Sequence, residues 1–365
     1  MKRKNLFITL LLVICITFGT SFNVSADVLN NNDNIWDYKS HNLEKDYASK
    51  WLKLNGYGIN ELSNPIELYS IDGSIGAICF DLNNTGYLVI NAYNLDIMEY
   101  SFSNKKPFGN YNNVIYNGPL QFYIKNNENT IDLFTNSIID KENLSNNYII
   151  NKISTEDKNS KIEKLKDNAF FASNSFVESG SLSGSLVTWS SSYYCQPDCA
   201  AILLRYLYNR NSAFLPSGYT TNGNVQDYLT NTYILNGATT SSKVVNGGEP
   251  YQEYDGSTLV TKYTKGMIQY LVDRGLSSSY TAVFSWYDFS TIRNMINSNF
   301  PVSFGTSSTV PGSTWNESHQ VVAHGYLVGY DGVPFIYVND TFGNNNISIN
   351  GSAKYYSNYG MWYIN

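Results

Sequence analysis

The stretch Ser318-His-Gln-Val-Val-Ala-His-Gly-Tyr-Leu-Val-Gly-Tyr-Asp-Gly, with Pro334-Phe-Ile-Tyr-Val-Asn-Asp-Thr-Phe-Gly shortly after it, constrains this chain more than any other feature. Two runs rich in β-branched and aromatic residues flank a Gly/Asp turn signal, so the segment reads as a β-hairpin. It carries His319, His324 and Asp340. The two His are five residues apart, which on a regular strand points them to opposite faces. A four-residue loop at Gly329–Gly332 sets Val321 opposite Asp340. Asp340 then shares a face with His319, diagonally within about 7–8 Å. A two-residue turn at Asp331-Gly332 moves Asp340 opposite Ala323, and a one-residue slip moves it to the face of His324. All three registers are open at this level.

A second feature lies more than a hundred positions earlier. Cys195-Gln-Pro-Asp-Cys-Ala-Ala-Ile-Leu-Leu-Arg-Tyr-Leu predicts a buried helix from Cys195 to Tyr208, with Pro197 in the first turn, where its missing N–H costs nothing. Cys195 then opens the helix, where the dipole and free N–H groups favour a thiolate. Asp198 also complements the dipole but disfavours a nearby thiolate. Cys199 lies one turn further in and reads as core. Cys–His pairing of this kind supports acyl transfer through a thioester.

The first residues read as an address. Lys2, Arg3 and Lys4 precede the apolar run Leu6 to Phe18, and Val24-Ser25-Ala26 supplies small residues for cleavage. A secretory signal over 1–26 is expected; the run is short for a membrane anchor, and no stretch reaches the roughly 20 apolar residues of a span. Its removal leaves 21 bases against 30 acids, takes Cys15 away, and leaves Cys79, Cys195 and Cys199. Three thiols form no disulfide framework, so at least one stays free in an oxidising, extracellular medium. Excess acid argues against a nucleic-acid partner.

Of 365 residues 42% are hydrophobic and 15% charged, enough for a packed core and suggestive of two domains. Residues 27–153 read as an N-terminal α+β domain, with a helix from Glu44 to Leu54 and then short strands, one of which buries Cys79. Residues 154–186 hold a charged stretch able to form a short helix and then a Ser/Gly-rich one, and read as a cleavable linker. Residues 187–365 read as a second α+β domain, helices first and an antiparallel sheet after. Its helices are expected near Val225–Tyr233, Thr258–Arg274 and Asp288–Ser298.

The Cys195 segment resembles the nucleophile helix of papain-like bacterial cysteine peptidases of the bacteriocin-leader-processing type, where Cys-Gly-Pro precedes small residues and an apolar helix. His319-Gln-Val-Val-Ala-His-Gly-Tyr is similar to their His strand, and Asn339-Asp340-Thr341-Phe342-Gly343 to their Asn-Asp-Pro-aromatic-Gly strand. Ile292–Val302 matches the helix and Pro-Val strand that precede the His. The resemblance implies a papain-like fold in which Cys195 is the nucleophile, His319 the general base, and Asp340 the residue orienting the imidazole, with no cofactor or metal and with protein or peptide substrates. Gly86–Phe102 resembles part of the propeptide of streptopain-type peptidases, which implies that the N-terminal domain is an inhibitor removed on activation. The chain departs from the pattern at Gln196, at Thr341, and at Trp189, where an oxyanion-donating Gln is usual; loss of one such donor costs about 10²–10³ in rate.

Other readings compete. The same triad serves an amidase or acyltransferase. Cys195, Cys199, His319 and His324 superficially make a zinc-ligand set. The chain also reads as a secreted binding module whose Tyr residues and polar 209–257 segment meet a ligand, or Cys195 is a core thiol.

Overall fold

Strand β2 (Ile75–Leu82) is buried along most of its length, and its alternate residues serve two separate cores. Ala77 and Cys79 point into one apolar cluster, Ile78 and Phe80 into the other. A strand apolar at nearly every position suits a sheet covered on both faces. The computed structural model describes residues 41–58, 61–126, 129–134, 138–139, 156–166, 177–188, 195–233, 260–306, 319–356 and 360–365. Residues 40–365 form one compact unit.

The described chain is a mixed α and β fold around a large, mostly antiparallel sheet. In the N-terminal half, helix α1 (Asn42–Leu54) is followed by β1 (Leu62–Tyr69), β2, β3 (Gly86–Asn91), β4 (Ile97–Ser101), β5 (Val114–Gly118), β6 (Gln121–Asn126), β7 (Asn129–Asp132) and β8 (Ile138–Ile139). Helix α2 (Glu156–Lys166) and strand β9 (Glu178–Ser181) lie in the expected linker. The C-terminal half holds α3 (Cys195–Tyr208), α4 (Asn222–Thr232), α5 (Val260–Asp273), β10 (Ala282–Trp286), α6 (Phe289–Asn297), β11 (Val302–Gly305), β12 (Gln320–Val328), β13 (Pro334–Asn339), β14 (Ile347–Asn350) and β15 (Gly360–Ile364). The strand order is β10-β15-β11-β12-β13-β14-β4-β3-β2-β1-β5-β6-β7-β8, with β9 added beside β12.

The sheet passes from one half to the other where β14 pairs with β4, through Ser348↔Tyr100 and Ile349↔Glu99. On one face Trp51 of α1 packs on Phe335 of β13, centroids 4.9 Å apart, and its indole N–H donates to Asp331 Oδ2 at 3.2 Å. Lys161 of α2 and Lys354 both pair with the buried carboxylate of Asp96. The Ser/Gly composition of β9, read in the sequence as flexibility, serves packing instead: a Cβ on Gly180 would lie 2.5 Å from a ring carbon of Tyr326. Local signals hold elsewhere. Asp288 caps α6 by accepting the amides of Ser290 and Thr291. After α5, Gly275 takes φ +68°. Its N–H reaches the Val272 carbonyl, while that of Leu276 reaches Leu271, the paired bonds of a Schellman end.

Among the described residues no helix is long and apolar enough to cross a membrane. The expected signal at 1–26 and Trp189 lie outside the described residues.

Candidate thiol–imidazole site

Helix α3 is buried on almost every side, from Gln196 through Leu204. A helix buried this widely belongs in a core; Cys195 at its start stays partly exposed, as do Arg205 and Tyr208 in its last turn. Cys79, Cys195 and Cys199 are all free thiols. The Cys195 sulfur is met by the backbone amides of Gln320, Gln196 and Cys195 itself. These donors favour a thiolate, as the helix terminus suggests. Dense packing around the sulfur and the buried Asp198 carboxylate oppose them, and the net effect pushes the thiol up to about 11. Cys199 is fully buried, meets the Ser303 side chain, and is raised well above the ordinary thiol range by burial.

Gln320 is the residue beside His319. His319 immediately precedes β12, and its carbonyl accepts the Thr306 amide at 2.8 Å and the Thr306 hydroxyl at 3.2 Å. Its ring is buried and held by a hydrogen bond to the Asp340 main chain. Burial dominates, taking the imidazole down to about 3. The Phe342 ring lies against it, centroids 4.5 Å apart.

The hairpin register agrees with the outcome of the four-residue loop, reached by another route. The turn end pairs as Val328↔Pro334, and a bulge between Ala323 and Gly325 then shifts the ladder to Val322↔Asn339. Continuing it sets Val321 beside Asp340. His324 is the bulged residue; its ring bonds the Val338 main chain, and burial takes it down to about 4. His324 is not part of the Cys195 site, and among the described residues no group of three or more His, Cys, Asp and Glu is placed to hold a metal.

Asp340 touches the imidazole through its main chain. Its carboxylate turns into its own loop: Oδ1 accepts the amides of Phe342 and Asn344, each at 2.9 Å, and Oδ2 accepts the Asn344 side chain at 2.6 Å. Burial raises its pKa. Asn339 faces elsewhere, donating to Asn345 Oδ1 at 2.7 Å. Thr341 stands at φ +58°, a conformation closed to proline. The departure from the Asn-Asp-Pro pattern therefore has a local backbone reason. The Thr341 hydroxyl ties this loop to the Gln320 carbonyl at 3.2 Å.

Two residues that sequence reasoning missed come from the N-terminal half. Phe134, just after β7, lies parallel to the His319 ring, centroids 5.7 Å apart and planes 2° apart. Gln121, at the start of β6, donates its amide to the Thr306 carbonyl and accepts from Asn117 at 2.8 Å. The turn that delivers Gln121 is anchored by Glu99. That buried carboxylate accepts the Leu120 amide at 2.5 Å, the Tyr87 hydroxyl at 3.0 Å and the Tyr116 hydroxyl at 3.4 Å. Burial raises Glu99 to about 7, the three donors lower it, and the Asp340 charge adds to the rise. No sequence signal marks Phe134 or Gln121, because each acts across a contact far from it in the chain.

Comparison with protein-family models finds no match, and comparison with curated proteins finds none.

Proposed function

We propose that this chain is a secreted cysteine peptidase made as a latent precursor, with Cys195 as nucleophile, His319 as general base and Asp340 holding the imidazole. The supporting observation is the approach of the Cys195 sulfur, at the start of a buried helix, to the amide of Gln320, the residue next to His319. The segments that carry the nucleophile and the base, far apart in sequence, thus touch at the residue next to His319. In the active form, Cys195 passes its proton to His319 and the thiolate attacks the peptide carbonyl. The tetrahedral intermediate collapses as the imidazolium gives that proton to the leaving nitrogen, breaking the C–N bond and leaving a thioester. His319 then takes a proton from water, whose oxygen attacks the thioester and releases the acid and the thiol. Asp340 keeps the ring in place through its main-chain bond.

Latency rests on the N-terminal half. Phe134 covers the imidazole, and Gln121 ties the β6 end to Thr306 beside it. Removing that half by a cut in 154–186 would uncover both groups. A reducing medium keeps Cys195 from oxidation.

The test is to incubate the purified full chain under reducing conditions and follow cleavage within 154–186, cleavage of a denatured protein, and mapped iodoacetamide labelling. Wild type is expected to process itself and to label at Cys195, and Cys195→Ala to do neither. Labelling at Cys195 with no peptide-bond cleavage points to an amidase or acyltransferase. Labelling confined to Cys199 rejects the site.

A further inference from the structure

Helix α4 turns its two faces to different surroundings. Val225, Gln226 and Leu229 are buried, and the Asn222 carbonyl oxygen accepts from Arg205 of α3 at 2.7 Å. Asn224, Asp227, Tyr228 and Asn231 recur at helical spacing on the other face. With Thr232, and with Tyr219 from the loop before the helix, they line a cavity of about 410 Å³. That volume lies within the roughly 300–1,000 Å³ of small-molecule sites. The cavity shares no residue with the Cys195 site.

Its lining is chemically selective. The half-buried rings of Tyr219 and Tyr228 have centroids 4.9 Å apart at 48°. Tyr228 is held from behind. The Tyr233 hydroxyl donates to Asp273 Oδ2 at 2.8 Å, so the Tyr228 hydroxyl donates to it, at 3.3 Å. Asn231 donates to the Asp227 main-chain carbonyl at 2.7 Å, which leaves its own side-chain oxygen open. The Asp227 carboxylate and the Asn224 carboxamide are exposed and have no partner among the described residues. Asp227 is also the only charged residue among those that line the cavity, so an anion meets repulsion there and no cation. A purely apolar ligand gains nothing from the three carboxyl and carboxamide groups. A sugar answers every feature. Its hydroxyls both donate and accept, which suits a carboxylate, two carboxamides and the Thr232 hydroxyl, and its C–H groups pack on the negative face of a tyrosine ring. We propose that this cavity binds a neutral saccharide, with Tyr219 and Tyr228 as the platform for a sugar ring and Asp227, Asn224 and Asn231 as the hydrogen-bond partners of its hydroxyls. The site lies on the half that carries Cys195 and gives that half a hold on glycan-bearing molecules, independent of the peptidase reading above.

The experiment uses the full chain carrying Cys195→Ala, which stays intact whether or not the wild type processes itself. Saturation-transfer NMR is run with glucose, galactose, N-acetylglucosamine and short β-linked oligomers of each at about 10 mM. Glucuronic acid and a Lys-rich peptide are the counter-probes. At least one neutral sugar is expected to bind with a Kd of about 1 mM or tighter. Adding Tyr219→Ala or Asp227→Ala is expected to weaken it about tenfold or more. Asp227 is exposed, so its replacement removes no packing, and an unchanged urea midpoint separates lost binding from lost folding. Glucuronic acid is expected to bind more weakly than glucose, and Asp227→Asn to narrow that gap. Transfer to no neutral sugar, or transfer that neither variant weakens, overturns the site. Binding of the peptide alone assigns the cavity to cationic side chains and overturns the saccharide. Each of these outcomes leaves the peptidase reading standing, because the nucleophile is absent throughout.

Discussion

The rings of His319 and Phe134 lie parallel, centroids 5.7 Å apart and planes 2° from each other, although one residue stands just before β12 and the other follows β7. Burial holds this imidazole down at about 3 and pushes the Cys195 thiol up to about 11. Both groups are therefore neutral throughout the physiological pH range. The thiolate and imidazolium that a thiol hydrolase uses are disfavoured in this form by desolvation, even though the backbone donors around Cys195 are in place.

Phe134→Ala in the full chain should admit water to the imidazole. The His319 pKa then rises toward its ordinary value, and Cys195 gains thiolate character at neutral pH. Mapped iodoacetamide labelling of Cys195 at pH 7.5 is expected to accelerate about tenfold or more. An unchanged rate would show that Phe134 does not control the pair.

Glu99 gives the packing of the N-terminal half a dependence on pH. Its carboxyl is raised from 4.5 to about 7, chiefly by burial. The folded chain thus holds this proton more tightly, so the stabilisation is full at acid pH and is lost as pH rises through about 7. His319 and His324 act in the other direction. Lowered from 6.5 to about 3 and about 4, they stabilise the fold above 6.5, and that contribution is lost as pH falls toward those values. Together the three groups place maximum stability near neutral pH, because the His pair gains more than Glu99 loses as pH rises toward 7. Glu99→Gln should steepen the rise in stability between pH 5 and 7 by about 2 kcal/mol. Urea midpoints at pH 5 and 7 measure it. An equal rise in the variant would assign the proton to another group.

Much of the fold was legible because local rules were obeyed. Pro197 and the apolar run of α3, the Asp288 cap and the Gly275 end are decided within a few residues. The hairpin was harder. Its turn was readable, but the bulge at His324 that sets the final register depends on how two strands pair. The β9 strand was read as a linker because its Ser and Gly match a flexible composition, while the Tyr326 ring that demands small residues there lies far along the chain. Distance in sequence also hid the site's cover, since nothing near Phe134 or Gln121 records a neighbour in the C-terminal half. The contact between Asp340 and the imidazole was expected from the carboxylate and is made by the main chain, a difference set by the competing donors Phe342 and Asn344.

That arrangement separates two roles for Asp340. Asp340→Asn keeps an acceptor for the loop amides and keeps the main-chain bond to His319. It should cost about 1–2 kcal/mol, from the bond to the Asn344 side chain, with little change in Cys195 labelling. Asp340→Ala leaves the buried amides of Phe342 and Asn344 without their acceptor and should cost about 2–4 kcal/mol while releasing Phe342 from the imidazole. Denaturant titration gives the stabilities. Equal losses in the two variants would mean that the carboxylate charge matters more than its hydrogen bonds.

Thr341 offers a sharper test of the loop. A β-branched residue at φ +58° is strained by about 1–3 kcal/mol, and the hydroxyl bond to the Gln320 carbonyl offsets part of it. Thr341→Gly relieves the strain and loses that bond, so its net effect on stability should lie within about 1 kcal/mol. Thr341→Pro demands a negative φ and removes the amide that donates to Asn339 Oδ1 at 2.9 Å; it should destabilise by about 3 kcal/mol or more. The loop also carries Asp340 and Phe342, so the proline variant should disturb the His319 ring as well. Thermal melts, together with the imidazole proton signals of His319, would reveal both effects. A proline variant as stable as wild type, with His319 unmoved, would mean that the positive φ at 341 is not required by the fold.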